Sequence, residues 1–146
     1  MNSISMYVNR GMLLASGLLA TGIAATILAA PDLFYAGYAI DIGSDVSLAN
    51  ELKAPAGMLL VAGLLMLVGV VRPGYAGTSL AIGSVIYLSY GLSRLLSIAV
   101  DGIPHSSLVS AAMLELGLGA ACLLSLARLR MNARRTFNAG NREEAA

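Results

Sequence analysis

Two ionisable side chains stand where charge is least welcome. Arg94 interrupts an otherwise apolar run over 78–100, and Glu115 interrupts another over 107–127. A charge at the centre of a bilayer costs about 2.5–3.5 kcal/mol on insertion scales, so such groups pair with one another or face a polar cavity. Arg94 is seven residues inward from Asp101, about 10 Å along a helix, and Glu115 is eight inward from Ser107, about 12 Å. If these runs are antiparallel neighbours, both groups lie at one depth. A contact between them, direct or through one water, is expected.

The surroundings of Arg94 are polar as well. Tyr87, Tyr90, Arg94, Ser97 and Asp101 recur at steps of three and four residues, which is one stripe on a helix. Asn50, Glu51 and Lys53 precede the apolar run 54–71, at the depth where a span ending at Val71 would begin. The expectation is that Asn50, Glu51, Lys53, Tyr90, Arg94, Asp101 and Glu115 all line one polar pocket near a single face of the membrane. Three kinds of chemistry suit such a cluster. An Arg–Glu pair can lock helix register. A polar pocket can bind a lipid headgroup, a quinone or another small molecule. An ionisable Glu115 can move a proton or take part in catalysis.

Nothing else in the chain adds a reactive constellation. His105 is the single histidine and Cys122 the single cysteine, so no metal set and no intrachain disulfide is expected. Ser97, Ser106, Ser107 and Ser110 lack a nucleophile-elbow pattern. No phosphate-binding loop or paired-histidine metal motif occurs. No catalytic residue, metal or cofactor is assigned.

The elements that must position Arg94 and Glu115 follow from composition. Of 146 residues, 58% are hydrophobic and 12% charged, with a net charge of +1 and a mean hydropathy of +0.79. A soluble domain carries about 25% charged residues. This composition excludes an ordinary soluble domain, a disordered chain and a basic nucleic-acid binder. Spans are expected at about 11–30, 46–71, 78–100 and 107–127, each near the twenty residues a crossing helix needs. Backbone amides in hydrocarbon must be satisfied within their own segment, so the spans are helices. The expected fold is all-α, an integral membrane antiparallel four-helix bundle over 1–127. The basic tail over 128–146 is expected to fray.

Charge orients the bundle. Arg10, Arg72, Arg128, Arg130, Arg134, Arg135 and Arg142 fall on one side, seven of the nine basic residues. Lys53, Asp32, Asp41, Asp45 and Asp101 fall on the other. The positive-inside rule then puts both termini in the cytoplasm, with the bacterial inner membrane as the expected location. The first outer connection, 31–53, is long. Phe34, Tyr35 and Tyr38 in it suit a membrane interface, and Ser44 or Asp45 can cap the next helix. Pro55 removes a backbone N–H from that helix and predicts a kink or polar contact. Gly57, Gly63 and Gly69, and Gly117 with Ala121, allow close helix approach within the bundle or against a partner.

Asn50-Glu51-Leu52-Lys53-Ala54, then Tyr90-Gly91-Leu92-Ser93-Arg94, then Asp101-Gly102-Ile103-Pro104, then Glu115 resemble a bacterial family of small four-helix membrane proteins known only as a domain of unknown function. The resemblance covers about 10–127. Lys53 stands where arginine is more usual, which keeps the charge. The architecture is also distantly similar to DoxX-like four-helix proteins, some of which are accessory or redox-associated subunits. The resemblance implies a fold and a polar cluster, and no reaction.

Three readings of function follow. The first is a non-enzymatic accessory or scaffold subunit, with membrane lipids, a larger membrane complex or a second copy as partners. The second is a lipid-, quinone- or small-molecule-binding protein using the outer pocket. The third is a membrane enzyme or proton-coupled transporter, which at this size would need to oligomerise.

Overall fold

The computed structural model describes the backbone over residues 3–143, and side chains over 6–135 with Asn138. Among the described residues five helices follow one another: α1 Ser3–Ala29, the short α2 Pro31–Ala36, α3 Val46–Val71, α4 Ala76–Asp101 and α5 Ser106–Glu143. A 3₁₀ turn, Pro73–Tyr75, joins α3 to α4. No strand occurs among the described residues. Four segments are long and apolar enough to cross a membrane: Met6–Ala29, Val46–Val71, Pro73–Asp101 and Ser106–Arg135. They form the antiparallel four-helix bundle expected from the composition. One end, the termini end, carries the start of α1, the α3–α4 turn and the continuation of α5. The opposite end, the loop end, carries α2, the segment 37–45 and the α4–α5 turn.

Local chemistry sets the helix boundaries. The Asp45 carboxylate accepts a hydrogen bond from the Leu48 amide at 3.0 Å and so caps α3. The helix then continues through Pro55 without interruption. Before α5, the His105 carbonyl accepts from the Leu108 amide at 2.9 Å, and the His105 Nδ1 accepts from the Ser107 amide at 3.4 Å. The lone histidine is thus an exposed helix starter.

Two elements are longer than expected. α1 begins at Ser3, ahead of the apolar run. α5 does not fray after residue 127 but runs for 38 residues, about 57 Å. That is well beyond a hydrocarbon core of about 30 Å. Good helix formers dominate 128–135, and neither proline nor glycine interrupts the chain before Gly140. The tail is therefore a helical extension of the span. The side chains of Arg142 and Glu143, and all of Glu144, lie outside the described residues.

The helices pack as two pairs. α1 lies along α3 and α4 along α5, with α3 against α4 as the main joint between pairs; α1 meets α4 and α5 only briefly. Each pair closes on a glycine. A Cβ on Gly63 would stand 2.8 Å from the Thr21 amide nitrogen and 3.1 Å from the Gly17 carbonyl oxygen. On Gly119 it would stand 2.9 Å from the Leu88 amide nitrogen. Small residues permit this backbone proximity, and dispersion then stabilises it.

Towards the termini end the pairs close on one another. Leu13, Ser16, Met66, Leu80 and Cys122 are all 0% exposed. The Ser79 hydroxyl of α4 donates to the Leu65 carbonyl of α3 at 2.7 Å. The Tyr87 hydroxyl donates to the Ser16 carbonyl of α1 at 2.6 Å. Beyond Tyr87, towards the loop end, the pairs diverge.

Candidate functional site

The divergence opens a cavity of about 870 Å³. Its floor is Tyr87 with Ala20 and Leu59. One wall comes from α1 and α3, through Leu19, Ile23, Ile27, Leu52, Pro55 and Ala56. The facing wall comes from α4 and α5, through Tyr90, Arg94, Ala111, Leu114 and Glu115. Ser107, Leu108 and Ser110 of α5 stand nearer the mouth. Phe34, Tyr35 and Tyr38 reach in from α2 and the turn after it, with Gly37 and Ile40 beside them.

The ion pair lies in the α4–α5 wall. The Arg94 Nε donates to both Glu115 oxygens, at 2.9 Å to Oε2 and 3.2 Å to Oε1. The side chains are 33% and 16% exposed, so the pair is half-buried and opens on the cavity. Both residues project from the same face of neighbouring antiparallel helices, which is why depth counted along each helix brings them level. The contact is direct.

The three aromatic rings of the α2 region form a cluster. Phe34 packs edge-on against Tyr35, with centroids 5.2 Å apart, and lies 5.3 Å from Tyr38. Such pairs add about 0.5–1.5 kcal/mol beyond burial and hold the rings of this short segment together. Burial raises the Tyr35 hydroxyl above its ordinary value, Tyr90 and Tyr38 push the same way, and Arg94 opposes them. Tyr35 therefore keeps its proton at neutral pH and remains a donor.

Of the residues expected in one pocket, the structure brings Tyr90, Arg94 and Glu115 together. Asn50, Glu51, Lys53 and Asp101 do not line the cavity. The reason is azimuth. On α3 the cavity face is Leu52, Pro55, Ala56 and Leu59. At about 100° per residue, Glu51 and Lys53 flank that face on either side and Asn50 points away from it. Glu51 and Asn50 are exposed. Asp101 sits above the cavity, where its carboxylate accepts from the Ser97 hydroxyl at 2.9 Å. Residue counting gives depth and not direction.

The converse omission is the contribution of α1 and α2. Leu19, Ile23 and Ile27 sit in a uniformly apolar run and carry no signal of the direction they face. Phe34, Tyr35 and Tyr38 look in sequence like interface residues, yet they also line the cavity. Their spacing at positions one and four puts them on one side of a turn, and that was the available clue. Gly57 and Gly117 have nothing within 4 Å of a built Cβ, so they take no part in packing within the bundle, unlike Gly63. Among the described residues, no group of three or more His, Cys, Asp or Glu could hold a metal ion.

Fold and site together define a small membrane protein of four helices with a polar pair set in the wall of a largely apolar cavity. The sequence pattern of DUF4345, a domain of unknown function, matches residues 8–126. The chain belongs to that family. No curated protein and no solved structure matches it.

Proposed function

We propose that the protein binds a small amphiphile, such as a lipid, a quinone or another small molecule, in the loop-end cavity. The observation that carries this reading is the cavity itself: about 870 Å³, within the usual size of ligand pockets, apolar over most of its wall, with one ion pair and several hydroxyls converging on it. A pair that only locked helix register would be packed over. This one lines the cavity. The basic residues at the termini end favour a cytoplasmic placement of both termini in a bacterial inner membrane, with the cavity facing outward.

Native mass spectrometry from lipid nanodiscs tests the reading on wild type, Glu115→Gln and Ala111→Phe. Ala111 lines the cavity one helical turn before Glu115, so phenylalanine there fills space and leaves both charged residues in place. An equimolar small-molecule adduct on the wild type, lost in Ala111→Phe and weakened in Glu115→Gln, is expected. A bare wild-type protein, or an adduct indifferent to Ala111→Phe, contradicts it.

A second reading, an accessory subunit in a larger membrane complex, draws on one observation. Gly117 is exposed on α5 and faces nothing within the chain, as a helix-docking position would. Purification in mild detergent that repeatedly returns this chain alone counts against it.

A further inference from the structure

The cavity is balanced in charge and carries a guanidinium with most of its donors unspent, and the two facts together define a class of ligand. Arg94 and Glu115 are the ionised groups among the cavity's lining residues, and they neutralise each other at 2.9 Å. A ligand with a formal charge would enter a low-dielectric space whose opposite charge is already engaged. Burial of an ion without a partner is steeply unfavourable.

The hydrogen-bond account tilts the other way. A guanidinium has five N–H donors and no acceptor. Arg94 spends only its Nε on Glu115, which leaves the four N–H groups of its terminal amines. Among the described residues, no hydrogen bond within the protein uses those amines or the hydroxyls of Tyr35, Tyr38 and Tyr90. On the acceptor side, the two Glu115 oxygens share the single Nε proton and keep further lone pairs, and Ser110 directs its hydroxyl to the Ser106 carbonyl at 3.1 Å. The cavity thus offers unspent donors around a neutral centre.

Building on the cavity's role as a binding site, we propose that its ligand is an uncharged amphiphile whose head presents carbonyl-type oxygen acceptors. The head meets the Arg94 terminal amines and the Tyr90 hydroxyl. The hydrocarbon tail lies against Ile23, Ile27, Leu52 and Leu59 of the opposite wall. Two sources share this chemistry: an alkylated quinone and a neutral glyceride ester.

The test equilibrates the full chain in nanodiscs with probes of matched tail, and reads equimolar adducts by native mass spectrometry. The probes are a decyl-substituted benzoquinone, didecanoylglycerol, decanoate and decylammonium. Saturable binding of the quinone or the glyceride, with both ions about tenfold weaker or worse, is the expected result; whichever uncharged probe binds identifies the source. Arg94→Lys keeps a cation for Glu115 but loses the planar fork. It should weaken the uncharged probe about tenfold while leaving the melting temperature close to wild type. Ala111→Phe should abolish adducts of every probe. If decanoate or decylammonium binds as well as the uncharged probes and Ala111→Phe removes it, the cavity binds ligands but the uncharged-head inference is wrong. If Arg94→Lys binds with wild-type affinity and melts normally, the assigned head position is wrong. If no probe saturates, or Ala111→Phe changes nothing, the inference and the binding reading fall together.

Discussion

The same four helices behave differently at the two ends of the bundle. Towards the termini end, helices meet through glycine, serine and medium-sized apolar side chains, and Leu13, Met66, Leu80 and Cys122 are fully buried. Serine hydroxyls there donate to backbone carbonyls, as Ser79 does to Leu65 across the α3–α4 joint, so these serines need no open space. Towards the loop end the residues are larger and their polar groups point inward. Tyr90, Arg94 and Glu115 occupy the α4–α5 wall and cannot be matched by the apolar residues of α1 and α3, so the pairs stand apart. Small residues close a membrane bundle, and a paired charge with an aromatic surround holds it open. Tyr87 marks the boundary, with its ring in the cavity floor and its hydroxyl tied to Ser16 of α1.

Substitutions should separate the two ends. Gly63→Val should have the largest effect. The Thr21 amide and the Gly17 carbonyl opposite Gly63 are backbone atoms and cannot give way as a side-chain tip can. A loss of about 3 kcal/mol, at the upper end of overpacking costs, is expected, read as a lower midpoint in detergent melting followed by far-UV circular dichroism. Melting at the wild-type temperature would mean that α1 and α3 are not in close contact at that level.

Glu115→Ala comes next. It leaves the Arg94 cation in the cavity wall without its partner. Breaking a fully buried pair costs about 3–5 kcal/mol, and the partial exposure of this one reduces the expectation to about 2 kcal/mol. The double change Arg94→Met with Glu115→Leu should recover most of that loss, because an apolar pair leaves no charge to solvate. Failure of the double variant to recover would show that the pair supports the wall in a way that neutral side chains of similar size do not.

Tyr87→Phe should cost least. It removes one hydrogen bond, worth about 1 kcal/mol, and the Ser16 carbonyl keeps its place in the α1 ladder. A loss several times larger would mean that the tyrosine clamps the two pairs together.

The legible part of this molecule is local or one-dimensional. Spans show in sequence because lipid imposes length and apolarity on each helix separately. The Arg94–Glu115 contact shows because two short-linked antiparallel helices turn residue counts into matching depths. What could not be read is rotational or distributed. Lys53 and Glu51 lie at the expected depth but flank the cavity face of α3. Leu19, Ile23 and Ile27 form part of the wall, and nothing in an all-apolar run distinguishes the side that faces a cavity from the side that faces lipid. The helical extension of α5 past residue 127 was concealed by its charge, which suggests solvation and says little about backbone order.

The contrast between the ends is open to a direct thiol-accessibility measurement. The protein carries its own control, since Cys122 is a free cysteine at 0% exposure in the packed region. Ser110 is exposed and lines the cavity. Wild type is compared with Ser110→Cys in a Cys122→Ser background, each treated with a small maleimide and followed by intact-mass spectrometry. The thiol introduced at position 110 should be modified rapidly in the folded protein, and Cys122 should resist until the chain is unfolded. Equal rates at the two positions would contradict a bundle packed at one end and open at the other.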